Sequence, residues 1–352
     1  MILYIDDRIN PRKIDFFNNF NLSLRYDSVG STFSFSFYYN PDNAEHRDIL
    51  GLSNYNLVRV EHNGELLLTG FNLNIPLVKS TSRQLVTISG YSVPGVLEDS
   101  NIPLSTYPLE SLNLTLLEIA QKYCKPFKLV IDVDPTVSDK MNQKYTKITA
   151  SATQSVKDFL CSLASQRNII VSHNERGHLY FTQAKADSKP IFHFEDGLIG
   201  TNIELVFNGQ VFHTPISVIK QADSEGGNAA EITIDNPYVP VSTQAFRPKV
   251  VIQNSGDDIS TELCAKNVLA QELKEGIKLK INIDRWVLND NKIIKPNQVV
   301  SILSPENGIF KKTNFFIEAI DFVGNESTNA ATLHCVVPEV YNGKTPKNIF
   351  TK

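Results

Sequence analysis

The feature that most constrains this chain is a spaced pattern that occurs twice. Val58-Arg59-Val60, the turn Asn63-Gly64, Phe71 and the alternating pair Val86 and Ile88 recur in order as Val300-Ser301-Ile302, Asn307-Gly308, Phe315 and the pair Leu333 and Cys335, at offsets of 242, 244, 244 and 247 residues. Alternating apolar and polar residues are the signature of a half-buried strand, and Asn-Gly between two such runs suits a tight primed turn. The drift in offset is what small loop insertions produce. Two copies of one small antiparallel barrel are the simplest explanation, while two unrelated hairpins that share alternation and a turn stay open on pattern alone.

Around the first copy lies more strand material. Residues 31–39 set Phe33, Phe35 and Phe37 on one face and Ser34, Ser36 and Tyr38 on the other, and Pro41-Asp42-Asn43 ends the run. Residues 84–89, with Val86 and Ile88 facing one way, predict a further strand, and the region closes near Asn101-Ile102-Pro103.

The character changes at Pro108. Leu116, Leu117, Ala120, Tyr123 and Cys124 form one helical stripe, Thr115 and Glu118 have the spacing of a capping box, and Pro126 stops the helix. A short strand over 129–133, an exposed polar loop over 135–147 and a second helix carrying Val156, Phe159, Leu160, Leu163 and Ala164 follow. The runs 168–172 and 178–182 flank Asn174-Glu175-Arg176-Gly177 as a hairpin.

From Ile191 onward strands return. Residues 205–212 contain a second tight-turn signal, Asn208-Gly209, short strands are expected at 216–220 and 231–234 around the loose loop 224–228, and strand material resumes over 277–286. One helix, about 260–275, turns Ala265, Val268, Leu269 and Leu273 inward, with Gly276 placed to end it. The expected fold is mainly β with an α+β insertion: two related small antiparallel β-barrels, an outer α+β domain and one further helix. The expected domains are 1–105 (first barrel), 106–188 (outer α+β domain) and 189–345 (second barrel, with a peripheral helical insertion around 221–285).

Composition narrows the function. With 34 Lys+Arg against 38 Asp+Glu the formal charge is 34 − 38 = −4, which argues against a protein that coats nucleic acid with a basic face. Residues 108–185 carry 10 basic and 7 acidic residues, or +3, leaving −7 for the rest. No window approaches the ~20 apolar residues that span a bilayer, and the first residues reach Asp6-Asp7 before any signal-like core, so no membrane anchor or classical export is expected. Cys124, Cys161, Cys264 and Cys335 lie far apart, which favours buried free thiols made in a reducing compartment.

Catalytic motifs are missing from the sequence: no nucleophile elbow, no His-Glu-x-x-His pair, no phosphate-cradling loop. The tight acid pairs, Asp132 with Asp134 and Asp257 with Asp258, read as solvated acids or helix caps. His173 and His178 flank a hairpin without the further ligands that zinc needs, and His193 and His213 sit in strand-like segments. Lys122, Lys125, Lys128, Lys140, Lys144 and Lys147 tint the middle region basic without interleaved stacking aromatics, so a solvated face is favoured. No catalytic, metal or cofactor-binding residue is expected, and the chain is read as a non-enzyme.

Several short motifs, in order, resemble the baseplate hub proteins of contractile-tailed phages, the phage Mu hub and its relatives, which share architecture with the hub of T-even phages. They are the strand Gly30-Ser-Thr-Phe-Ser-Phe35, the hairpin 58–71, Gly90-Tyr-Ser-Val-Pro-Gly-Val-Leu-Glu-Asp-Ser100, Ile119-Ala120 with Cys124-Lys-Pro-Phe127, Arg247-Pro248, the helix at 260–275, and Trp286 with Ile294-Lys-Pro-Asn-Gln-Val-Val300. Tyr91 stands where the resemblance leads one to expect a basic residue, and the stretch from Phe16 to Leu24 lacks an expected Trp.

The resemblance implies a structural, trimeric adaptor whose three pairs of barrels join the sixfold tail tube to the threefold central spike and form part of the DNA-ejection channel. Its implied partners are a homotrimer, the tail tube protein, the central spike protein and other baseplate wedge proteins, with genomic DNA passing through the lumen without specific binding. The implied location is the virion tail baseplate, assembled in the host cytoplasm. The hub of a tailocin or secretion-system spike uses the same surfaces, and a carbohydrate-binding tail adhesin is the competing reading from another class. The net −7 outside the middle region leads to the expectation that acidic residues line the channel.

Overall fold

The computed structural model describes residues 1–6, 11–14, 17–77, 85–220, 230–240, 246–253, 260–288, 292–325 and 327–351. The chain forms two compact units. One comprises Met1–Gln183, Asp284–Ile294 and Ala319–Ala331; the other comprises Ala184–Ile283, Lys295–Glu318 and Thr332–Lys352. The fold is mainly β, with antiparallel sheets and a few helices, as the alternating patterns predict.

The first unit opens with strands β1 (Ile2–Asp6), β2 (Pro11–Ile14), β3 (Asn19–Arg25), β4 (Thr32–Tyr38), β5 (Leu57–His62), β6 (Glu65–Asn74) and β7 (Leu85–Ser92). Their order is β2-β1-β5-β6-β7-β4-β3, antiparallel throughout. The expected strand residue Gln84 lies outside the described residues. Burial explains the pairing: Phe33, Phe35 and Phe37 are buried, and Phe35 sits 4.7 Å from Phe17 and 5.4 Å from Phe20, ring centre to ring centre. Asn63 and Gly64 both take positive φ, 49° and 79°, the primed turn their sequence predicts.

The same unit continues into α+β structure with β8 (Glu110–Thr115), the helix Leu116–Cys124, β9 (Ile131–Val133), β10 (Lys144–Thr149), the helix Val156–Ser165, β11 (Ile170–His173) and β12 (Leu179–Thr182). The predicted capping box is present: Thr115 Oγ1 accepts from the Glu118 amide at 3.1 Å while the Thr115 amide donates to Glu118 Oε2 at 2.8 Å. The polar stretch 135–147 is not simply a loop. Val137 and Met141, the N-cap and last residue of a short helix, Ser138–Met141, are buried, and Tyr145 anchors β10 by donating to the Leu163 carbonyl at 2.8 Å. Three apolar residues among many polar ones suffice to tie that stretch down. Its core includes Val29, Leu97 and Ile102 from the strand region.

The second unit contains β13 (His193–Glu195), β14 (Thr201–Phe207), β15 (Ile216–Lys220), β16 (Ala230–Ile234), β17 (Lys249–Gln253), the helix Thr261–Gly276, β18 (Ile277–Ile283) and β19 (Gln298–Ser304), with parts of β20 (Ile309–Asn325) and β21 (Asn329–Val336). Ser260 caps the helix, its Oγ accepting from the Leu263 amide at 3.2 Å; Asp257, Asp258 and the loop 224–228 lie outside the described residues. Asn208-Gly209 does not form a hairpin. Asn208 instead starts a single 3₁₀ turn, Gly209–Val211, its side chain accepting from the Gln210 amide at 3.1 Å. Gly276 does not end the helix by a left-handed cap either: it is the last helical residue, and a Cβ there would lie 2.3 Å from the Phe212 ring.

The repeated pattern corresponds to a repeated topology. In the first unit the order is β3-β4-β7-β6-β5, and in the second β14-β18-β21-β20-β19, the same order when strands are taken in chain sequence. Val58, Val60, Val86 and Ile88 are fully buried, as are Val300, Ile302, Phe315 and Leu333. The copies differ at the turn: Asn307 ends a 3₁₀ turn, Pro305–Asn307, and Gly308 follows it in the left-handed region, in a longer connection. They differ too in the strand beside the hairpin, β1 running antiparallel to β5 but β13 parallel to β19.

Candidate assembly surfaces

The residues that carry the sequence motifs turn out to be framework. Ser92 is buried, donates to the Val29 carbonyl at 2.9 Å and accepts from the Ser31 amide at 3.0 Å, pinning the entry of β4 to the exit of β7. Gly90 is required because a Cβ would come within 1.8 Å of the Phe71 carbonyl oxygen. Tyr91, the departure from the expected basic residue, hydrogen-bonds Asp99; burial first, and then that carboxylate, push its phenol up to about 12. Trp286 donates its indole N–H to the carbonyls of Val323 and Ala330 at 3.2 and 3.1 Å and packs edge-on to Phe20 at 5.3 Å.

The acid and histidine candidates are also tied into structure. Asp132 accepts from Asn174 at 2.7 Å and contacts His178 Nδ1 at 2.8 Å, while Asp134 accepts from Tyr180 at 2.6 Å and from Thr136 at 2.7 Å. Thus Asp132 and His178 meet, while His173 bonds the Ser28 carbonyl at 2.9 Å and burial lowers its pKa below the ordinary histidine value. His193 bonds Ser301 at 2.8 Å. Among the described residues no group of three or more His, Cys, Asp or Glu is arranged to hold a metal ion. The four cysteines are free thiols; burial pushes Cys124 up to about 12 and Cys161 to about 11, far from thiolate chemistry at neutral pH. No described helix is long and apolar enough to cross a membrane.

One polar centre was not foreseen. Glu272 is 3% exposed, and its carboxylate accepts from the His213 amide at 3.0 Å, Asn236 at 3.3 Å and Lys249 at 3.1 Å, with His213 Nδ1 at 2.8 Å. It binds the helix to the small sheet β16-β15-β17. The available signal was position: Glu272 lies seven residues after Ala265 and three after Leu269, on the apolar stripe.

The surfaces left for partners are strand edges and faces. β14 is an end strand in its sheet, with Val206 and Phe207 exposed. In the small sheet β17 is an end strand, and Ile252, exposed, sits in register with Ile219 on β15, next to exposed Val250. Exposed apolar residues on an end strand are the material of strand addition or sheet stacking between chains.

Over nearly its whole length the fold is that of known tail proteins. It matches the prophage MuSo2 43 kDa tail protein of Shewanella oneidensis at 16% identity and TM-score 0.77, covering 97% of this chain and 99% of that one. It matches the tail protein of Neisseria meningitidis MC58 at 17% identity and TM-score 0.75, with the same coverage. It also matches the Escherichia coli c3393 protein, a type VI secretion component with structural similarity to the bacteriophage T4 tail proteins gp27 and gp5, at 10% identity and TM-score 0.56, covering 99% and 80%. No family model and no curated protein matches the sequence.

Proposed function

We propose that this protein is the structural hub of a contractile phage tail, a trimer that joins the sixfold tube to the threefold spike and encloses part of the DNA-ejection channel. The observation that carries the reading is the repeated strand order, β3-β4-β7-β6-β5 and β14-β18-β21-β20-β19, in a chain with a tail-protein fold. Two like modules per chain give a trimer six docking units, which is what a sixfold tube requires. In this reading 1–105 and 189–345 supply the two barrels, 106–188 decorates the outside, and acidic residues line the lumen. The work is done by assembly without catalysis, in the virion baseplate after assembly in the host cytoplasm, alongside wedge proteins.

The matching fold of a secretion component favours a second reading, the hub of a secretion-system spike. Native mass measurement of the purified chain with its cognate tube and spike proteins tests both. Three copies per complex are expected, and one or two copies, or no association, sink the hub reading. Co-purification with DNA-filled particles separates phage tail from secretion spike.

A further inference from the structure

The α+β region contains an open groove of about 440 Å3 lined by Gln121, Lys125, Lys128, Leu129 and Ile131. One wall is the end of the helix Leu116–Cys124 and the turn after it, and the other is strand β9, the end strand of the sheet β11-β12-β9. The backbone pattern fixes which groups of β9 are free. Val130 accepts from the Leu179 amide at 2.9 Å and Asp134 donates to the Phe181 carbonyl at 2.8 Å, so the even-numbered residues of this strand point toward β12. Ile131 and Val133 therefore aim their N–H and C=O groups away from the sheet.

Side chains sort the same way. Leu129 and Ile131 line the groove, whereas the carboxylates of Asp132 and Asp134 engage His178 and Tyr180 on the opposite face. Two cations overlook the groove. Lys122 turns its ammonium to the Pro108 carbonyl at 2.7 Å, and Lys147 and Lys157 pair with Glu110 and Glu98, but Lys125 and Lys128 are exposed with no ion pair among the described residues. Lys128 occupies a left-handed conformation, φ 55° and ψ 30°, where Gly or Asn is the easier residue.

We propose that this groove is a docking site for an extended acidic segment of a partner protein, added as a strand to the outer edge of β9. Main-chain hydrogen bonds to Ile131 and Val133 supply the binding frame, and the alternating side chains supply selectivity. Positions facing the groove take an apolar residue against Leu129 and Ile131, flanked by Asp or Glu reaching Lys125 and Lys128. Positions facing the other way, toward Asp132 and Asp134, take neutral Ser or Thr. Charge complementarity selects this occupant over others, since residues 108–185 carry a net +3 in a chain of net −4.

The probe is the peptide acetyl-Thr-Glu-Ser-Val-Thr-Asp-Ser-amide, titrated into the full chain by calorimetry with amide exchange followed in parallel. Binding is expected to slow exchange at Ile131 and Val133, to weaken with salt, and to fall by about tenfold in the Lys125→Glu/Lys128→Glu double variant, because two surface attractions become repulsions. Both lysines are exposed, and Lys125 sits at the helix C-cap, so this variant should unfold cooperatively at a temperature only a few degrees below the parent's; Lys144→Glu, on β10, should bind as the parent does. The peptide with both acids replaced by Lys should not bind. Equal binding of the acidic and basic peptides, or binding with no slowing at Ile131 and Val133, overturns the proposal. So does self-association of the parent chain that the double variant abolishes, which would make a second copy the occupant.

Discussion

The two strand modules share an order of strands and the buried positions of the repeat, but are held together differently. The first, β3 to β7, is built on an aromatic ladder, Phe17, Phe20, Phe33 and Phe35, with a two-residue turn at Asn63-Gly64. The second, β14 to β21, interrupts its strand sequence between β14 and β18 with a small sheet and a helix fastened through one buried carboxylate, Glu272. Topology is thus the repeated property, and the means of holding it differ: one module rests on apolar burial, which tolerates substitution of similar volume, and the insertion in the other on a charge that must stay partnered.

The largest effect should come from breaking that charge centre. Glu272→Ala takes the acceptor from the buried Asn236 amide and from the partly exposed Lys249 and His213 and should destabilise the protein by about 2–3 kcal/mol in chemical denaturation. Glu272→Gln, which keeps part of the hydrogen bonding, should lose less. Equal stability of the alanine variant and the parent would show that the two modules do not differ in this way.

The next test strikes the first module. Gly90→Ala forces a Cβ against the Phe71 carbonyl and should cost about 1–3 kcal/mol, with amide exchange accelerated across β6 and β7. A neutral result would mean that the bulge between Asn72 and Asn74 can absorb the methyl group.

Smallest is Thr115→Ala, outside both modules, expected to cost about 1 kcal/mol through loss of the helix cap. Hydrogen bonds from the Thr115 amide and side chain hold the Glu118 carboxyl below its ordinary value of 4.5. A depressed folded value stabilises above the unfolded one and is lost as pH falls through it, so the gap between variant and parent should narrow below about pH 4.5. An unchanged gap at pH 3 would show that Glu118 takes no part in the cap.

Much of the fold was legible where local pattern and tertiary demand agree. The phenylalanine alternation over 33–37, the Asn63-Gly64 turn and the Thr115 to Glu118 box each form as written. Asn208-Gly209 misled because the same pair also starts a 3₁₀ turn when the strands beside it pair elsewhere. Gly276 does mark the end of its helix, but for a steric reason: the Phe212 ring, distant in sequence, explains its lack of a side chain. The groove beside β9 was illegible, because a scattering of lysines becomes a site only once a strand edge runs beneath two of them.

The seventeen-residue strand β20 has a consequence in time. Its residues Ala319–Asn325 pair with Arg25 to Asn19 of β3 and belong to the first unit, while Ile309–Glu318 belong to the second. A ribosome adding about 5–20 residues per second reaches Ala319 roughly 15–60 s after Arg25. Throughout that interval the edge of β3 that pairs with β20 lacks its neighbour, while its other edge can pair with β4. Nascent chains stalled before Ala319 should therefore be the species that chaperones hold, and synthesis speed rather than final stability would set the yield of folded protein.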